Sequence, residues 1–121
     1  MPLKVMIVDD SPFTRKLLRV ILTSGGFDVV AEAANGSQAV NKYKELRPDL
    51  VTIDVVMPDM DGVDVARCII DYDPQARIII CSGMVQGAVE KRAMKVGVKD
   101  FILKPFQSSR VLKVSKRVMA K

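Results

Sequence analysis

Apolar and polar positions alternate between two periods along this chain. Leu3 to Val8 is a short apolar, β-branched run and predicts a strand. Ser11-Pro12 follows as a helix cap and first-turn proline. Phe13, Leu17, Leu18, Ile21 and Leu22 then recur at helical spacing until Gly25-Gly26. Asp28 to Ala34 predicts a second strand, and Asn35 caps a helix that runs to about Leu46, before Pro48. Leu50 to Val56 predicts a third strand, broken only by Thr52 and Asp54. Met57 to Gly62 is a loop carrying Pro58 and an Asp61-Gly62 turn signal. A helix follows to about Asp71, ended by Asp73-Pro74. Arg77 to Ser82 predicts the fourth strand, Gln86 to Val96 a helix with Gly97 at its C-terminus, and Lys99 to Leu103 the fifth strand. Ser108 is expected to cap a last helix in which Val111, Val114 and Val118 share one face.

Five strand–helix pairs in strict alternation, with strands this apolar, imply an α/β fold. The expected sheet is parallel, five-stranded and doubly wound, with helices on both faces. The 121 residues fit a single domain, spanning 1–121, with no output domain expected after the last helix.

Composition narrows the function classes. With 49% hydrophobic and 27% charged residues the chain is an ordinary globular one. No apolar run approaches the ~20 residues of a membrane span, and no signal peptide is visible. Cys68 and Cys81 make no disulfide framework, so reduced thiols in a cytoplasmic protein are expected. There is no histidine, which excludes Ser-His-Asp and Cys-His nucleophile systems and a histidine phosphodonor role for this chain. The net charge of +5 suits either an acidic partner surface or merely a soluble one. With two tyrosines, no tryptophan and no reading motif, nucleic acid is not an expected partner.

The chemistry lies where polar residues interrupt the strands. Asp9 and Asp10 follow the first strand, Asp54 lies near the end of the third, Ser82 ends the fourth and Lys104 follows the fifth. A parallel sheet gathers all strand C-termini on one edge, where ligands bind at the topological switch point. Two carboxylates ~4 Å apart repel by about 4 kcal/mol at an effective dielectric of 20. Three of them beside one ammonium therefore call for a divalent cation or shifted pKa values. An oxygen-only ligand set favours Mg²⁺, which readily accepts a phosphate oxygen. A carboxylate nucleophile beside a metal, a lysine and a hydroxyl is equipped to make and break an aspartyl phosphate.

Val8-Asp9-Asp10-Ser11, Asp54 with Met57-Pro58 and Asp61-Gly62, Ser82-Gly83 and Lys104-Pro105-Phe106 together resemble the CheY-like response-regulator receiver family, over the whole chain. The strand order 2-1-3-4-5 is implied by that resemblance. The resemblance implies that Asp54 is the phosphoacceptor and that Mg²⁺ is bound directly by Asp10, mostly through water by Asp9, and by the Val56 backbone carbonyl. It also implies that Ser82 hydrogen-bonds the phosphoryl group and Lys104 pairs with it. Gly83 leaves the approach to Asp54 open, Lys104-Pro105 resembles the family's cis peptide, and Ser82 with Phe101 forms the switch. The implied activity is that of a signalling protein catalysing its own phosphorylation and dephosphorylation. Asp10-Ser11-Pro12-Phe13, Ala31 to Gly36, Cys81-Ser82 and Lys104 to Gln107 resemble the chemotaxis type in particular.

Expected partners are a histidine kinase and, by resemblance, a flagellar motor switch protein bound through helix 4, strand 5 and helix 5. Lys91, Arg92, Lys95, Lys99, Lys113, Lys116 and Arg117 lie in those segments, and a monomer is expected. The alternative is a phosphorelay intermediate serving a histidine phosphotransferase. An aspartate-nucleophile phosphatase is remote: it would place a general acid two residues after its nucleophile on the first strand, where Ser11 stands. Met57 to Cys68 imitates a Ca²⁺ loop but lacks ligand oxygens at its first and last positions. Val56 and Met84 stand at the positions that, by the same resemblance, flank the hydrolytic water; both are apolar, which predicts slow self-dephosphorylation and, where the response must be fast, an auxiliary phosphatase.

Overall fold

The computed structural model describes residues 2–83 and 87–120. In chain order the elements are β1 (Lys4–Val8), α1 (Pro12–Ser24), β2 (Asp28–Ala33), α2 (Gly36–Leu46), β3 (Leu50–Asp54), α3 (Gly62–Tyr72), β4 (Ile78–Ser82), α4 (Gly87–Val96), β5 (Asp100–Leu103) and α5 (Ser108–Ala120). The strands form one sheet in the order β2-β1-β3-β4-β5, and all four pairings are parallel.

Period-2 alternation on strands buried from both sides splits the core in two. Met6, Val8, Val51, Ile53, Ile78 and Ile80 face α2, α3 and α4, where Ala39, Tyr43, Val65, Ile69 and Ala93 meet them. Val5, Ile7, Leu50, Ile79, Cys81 and Ile102 face α1 and α5, packing on Leu18, Ile21, Leu22, Val111, Val114 and Val118. α4 is the least anchored helix: Ala93 is its one buried residue, against five in α3.

The helix starts follow local chemistry. Ser11 and Asn35 cap α1 and α2 by accepting the N–H groups of Thr14 and Gln38 at 3.2 and 2.9 Å. Asp61 caps α3 in the same way through Asp64 N–H at 3.0 Å. Gly97, at φ +105°, takes the left-handed conformation that closes α4.

Three expectations change. The third strand ends at Asp54, not Val56, because the chain turns there: Val55 accepts the Gly62 N–H at 2.7 Å, and Val56 projects with 75% exposure. Ser108 is the first residue of α5 rather than its cap; the flanking residue is Gln107, whose carbonyl accepts the Val111 N–H at 3.0 Å. Phe13 and Leu17, at helical spacing with the core residues, stay exposed because α1 turns only Leu18, Ile21 and Leu22 inward. The helix start expected at Gln86, and Met84, lie outside the described residues.

Candidate functional site

Parallel pairing brings the C-terminal ends of β1, β3, β4 and β5 to one edge. Carboxylate oxygens of Asp9, Asp10 and Asp54 lie there within 4.8 Å of one another. Asp9 is buried, 3% exposed, and Asp54 is 9% exposed, whereas Asp10 is open to solvent. Lys104 reaches over the edge and donates to Asp9 Oδ2 and to Asp54 Oδ1, both at 3.0 Å. Its peptide bond to Pro105 is cis, and its backbone N–H is held by the Ser82 carbonyl at 2.8 Å. Ser82, paired with Leu103 in the sheet, is thereby fixed beside Lys104.

Burial and charge compete here. Burial raises the Asp54 carboxyl above its ordinary value, and the Asp9 and Asp10 charges add to this; the Lys104 ammonium opposes but does not cancel it. For Lys104 the balance reverses. Burial favours the neutral amine, yet two carboxylates hold the pKa above its usual value. Cys81, behind Asp54 on β4, is pushed up to about 12 by burial and is an inert thiol. Three carboxylates and one ammonium leave two negative charges uncompensated. Such a set of hard oxygen donors, one of them facing solvent, fits a divalent cation that keeps part of its water.

The segment after Asp54 is fastened from several sides. A Cβ on Gly62 would lie 2.1 Å from the Asp54 carbonyl oxygen, so only glycine lets α3 approach this closely. Asp59 accepts the Gly36 and Ser37 N–H groups of α2 at 2.8 and 3.0 Å, which holds its carboxyl below the usual range. Asp61 pairs with Arg92 of α4 at 3.1 Å. Phe101 on β5 is half-buried against the core layer on the α2–α4 side.

The sequence brought forward Asp9, Asp10, Asp54, Ser82 and Lys104, and all five stand at this edge. It did not bring forward the Asp59 clamp or Arg15. Arg15 donates to the Asp9 backbone carbonyl at 2.7 Å and to Glu32 at 3.0 Å. Asp59 lies within the Met57 to Gly62 loop and Arg15 in the first turn of the first helix, and neither position by itself names the partner it finds.

The model of the response regulator receiver domain matches residues 5–116. The chain belongs to the response regulator receiver domain family. The chemotaxis protein CheY of Thermotoga maritima is 51% identical over 115 residues, covering 95% of this chain and 96% of that protein. CheY of Bacillus subtilis is also 51% identical, covering 96% and 97%. A solved CheX-CheY-BeF3-Mg²⁺ complex from Borrelia burgdorferi superposes with a TM-score of 0.96 at 41% identity, covering all of this chain and 92% of the matched one. These relatives support a phosphorylation-activated response regulator of the chemotaxis type. Among the described residues of this receiver, no helix is long and apolar enough to cross a membrane.

Proposed function

We propose that this receiver takes a phosphoryl group from a histidine kinase onto Asp54, with Mg²⁺ held by Asp10, Asp54 and the Val56 carbonyl and, through water, by Asp9. The observation that carries this reading is the convergence of three carboxylates and Lys104 at one sheet edge. When bound, Mg²⁺ neutralises the carboxylates and the developing phosphoryl charge. An Asp54 carboxylate oxygen forms the new P–O bond as the donor histidine's N–P bond breaks. Lys104 pairs with the phosphoryl oxygens and Ser82 donates its hydroxyl to them. Transfer moves the Lys104 pairing from the carboxylates onto the phosphoryl group, and Ser82 with Phe101 relays the change as the switch.

Readout is by surface binding in a cytoplasmic, monomeric protein. A groove of about 620 Å³ between β5 and α5, lined by Asp100, Phe101, Leu103, Pro105, Gln107 and Arg110, supplies a shaped surface beside the site. A flagellar motor switch protein is the proposed target. Of the basic residues on α4, β5 and α5, Arg92 is engaged with Asp61 and Arg117 with Asp100 at 2.6 Å, so the lysines and Arg110 carry the attraction for an acidic segment. Full-length likeness to chemotaxis regulators favours this reading over a phosphorelay intermediate.

Acetyl phosphate with Mg²⁺, read by intact mass, tests the site. Wild type gains one phosphoryl group and Asp54→Asn gains none; an equal gain in the variant overturns the assignment. A pull-down with the beryllofluoride-activated protein tests the partner: a motor switch protein supports chemotaxis, and a histidine phosphotransferase rejects it.

A further inference from the structure

Asp9 is held at every polar atom. Its N–H donates to the Ala33 carbonyl at 3.0 Å, and its carboxylate accepts the Ser11 N–H at 2.9 Å and Lys104 at 3.0 Å. Its carbonyl, which shares a peptide plane with the Asp10 nitrogen, accepts Arg15 Nη1 at 2.7 Å. That plane sets the direction in which the exposed Asp10 side chain leaves the backbone. Arg15 is itself oriented. Its Nε donates to Glu32 Oε1 at 3.0 Å, and its side chain is 17% exposed. Glu32 is held in turn by Arg19 Nε at 2.7 Å on its other oxygen, and its carbonyl accepts Lys42 Nζ at 2.5 Å. Burial works against the Glu32 carboxylate, yet Arg19 and Arg15 keep its pKa below the usual range, so it stays ionised.

We infer that Arg15, braced by Glu32 from β2, is a positioning residue for the cation site: it fixes the Asp9–Asp10 peptide plane and so presents the Asp10 carboxylate. A planar guanidinium suits this, because one fork reaches a carbonyl and a carboxylate together, which an ammonium on a flexible stem does not. The inference rests on the proposed Mg²⁺ reading and adds residues to it that no strand-end pattern identifies.

The sign of the effect separates positioning from plain electrostatics. Arg15 is a positive charge near an anionic cluster, so deleting it would by charge alone tighten a cation. Loss of orientation instead weakens it, by about tenfold for supporting residues of this kind. The test is Mg²⁺ titration by calorimetry of wild type, Arg15→Met, Arg15→Lys and Glu32→Gln, with thermal melts to confirm folding. The Mg²⁺ dependence of acetyl phosphate modification is measured alongside. Arg15→Met should weaken Mg²⁺ about tenfold, with Arg15→Lys also weakened despite its retained charge and Glu32→Gln less affected. The modification rate at saturating Mg²⁺ should stay near wild type, the defect lying in the half-saturating concentration. Mg²⁺ affinity in Arg15→Met equal to or tighter than wild type overturns the inference and leaves the metal reading standing. So does an Arg15→Lys variant that binds as wild type. A wild-type chain that binds no Mg²⁺ overturns the metal reading and the inference with it.

Discussion

Replacing Lys104 with methionine keeps most of the side-chain volume and removes the ammonium that sits 3.0 Å from both Asp9 and Asp54. Each such contact is worth about 5 kcal/mol of Coulomb energy at an effective dielectric of 20, before any desolvation cost. Breaking a buried pair by deleting one partner costs about 3–5 kcal/mol. The Lys104 side chain is 26% exposed, so solvent screens part of this, and the metal-free protein should lose about 2–3 kcal/mol at pH 8. The pH dependence follows from Asp54. Its folded-state pKa is raised by burial, so its contribution to stability is present below the ordinary carboxylate value and is lost as pH rises through the folded value. Removing the ammonium pushes that pKa higher still and deepens the loss. The deficit of the variant should therefore be largest at pH 8 and shrink as pH falls through the raised Asp54 value toward the ordinary carboxylate range. Added Mg²⁺ should bind the variant more tightly than wild type and recover more stability, because one more negative charge is uncompensated. Urea unfolding followed by far-UV circular dichroism, in chelator and in Mg²⁺, measures both. A deficit that stays constant as pH falls from 8 to the ordinary carboxylate range, or weaker Mg²⁺ binding in the variant, would refute the charge argument.

Val56→Asn with Met84→Glu should accelerate decay of the phosphorylated form, since polar groups then orient the attacking water; unchanged or slower decay by mass spectrometry counts against a kinetic role for the apolar pair. Gly62→Ala should destabilise the fold by about 2 kcal/mol and slow acetyl phosphate modification, because its Cβ meets the Asp54 carbonyl oxygen at 2.1 Å; an unchanged melting temperature contradicts this. Tyr43→Phe removes the 2.8 Å hydrogen bond to Asp73 and should cost about 1 kcal/mol at pH 7. That bond holds the Asp73 pKa below its ordinary value, so its contribution is present above that value and is lost as pH falls through the folded one. The gap between Tyr43→Phe and wild type should thus narrow on acidification, and urea unfolding showing a constant gap rejects it.

The sequence by itself determined the five strands and five helices, the caps at Ser11 and Asn35, and the five polar residues at the strand ends. These are local signals: period, capping side chains and turn residues act within a few positions of one another. Strand order was legible only through resemblance, because the pattern of apolar residues is the same whichever strands are neighbours. The tertiary structure alone decided that Phe13 and Leu17 stay in solvent, since periodicity gives a helix its stripe but not the angle at which it docks. It also decided that the third strand stops at Asp54. Above all it decided what holds the site: Asp59 on the N-terminus of α2, Arg92 on Asp61, and Arg15 between Asp9 and Glu32. Most of these contacts join residues 17 or more positions apart, and Arg15 reaches Asp9 only because α1 folds back along β1. A charged side chain on a helix face carries no local mark of its partner, which exists only once packing has brought the two segments together.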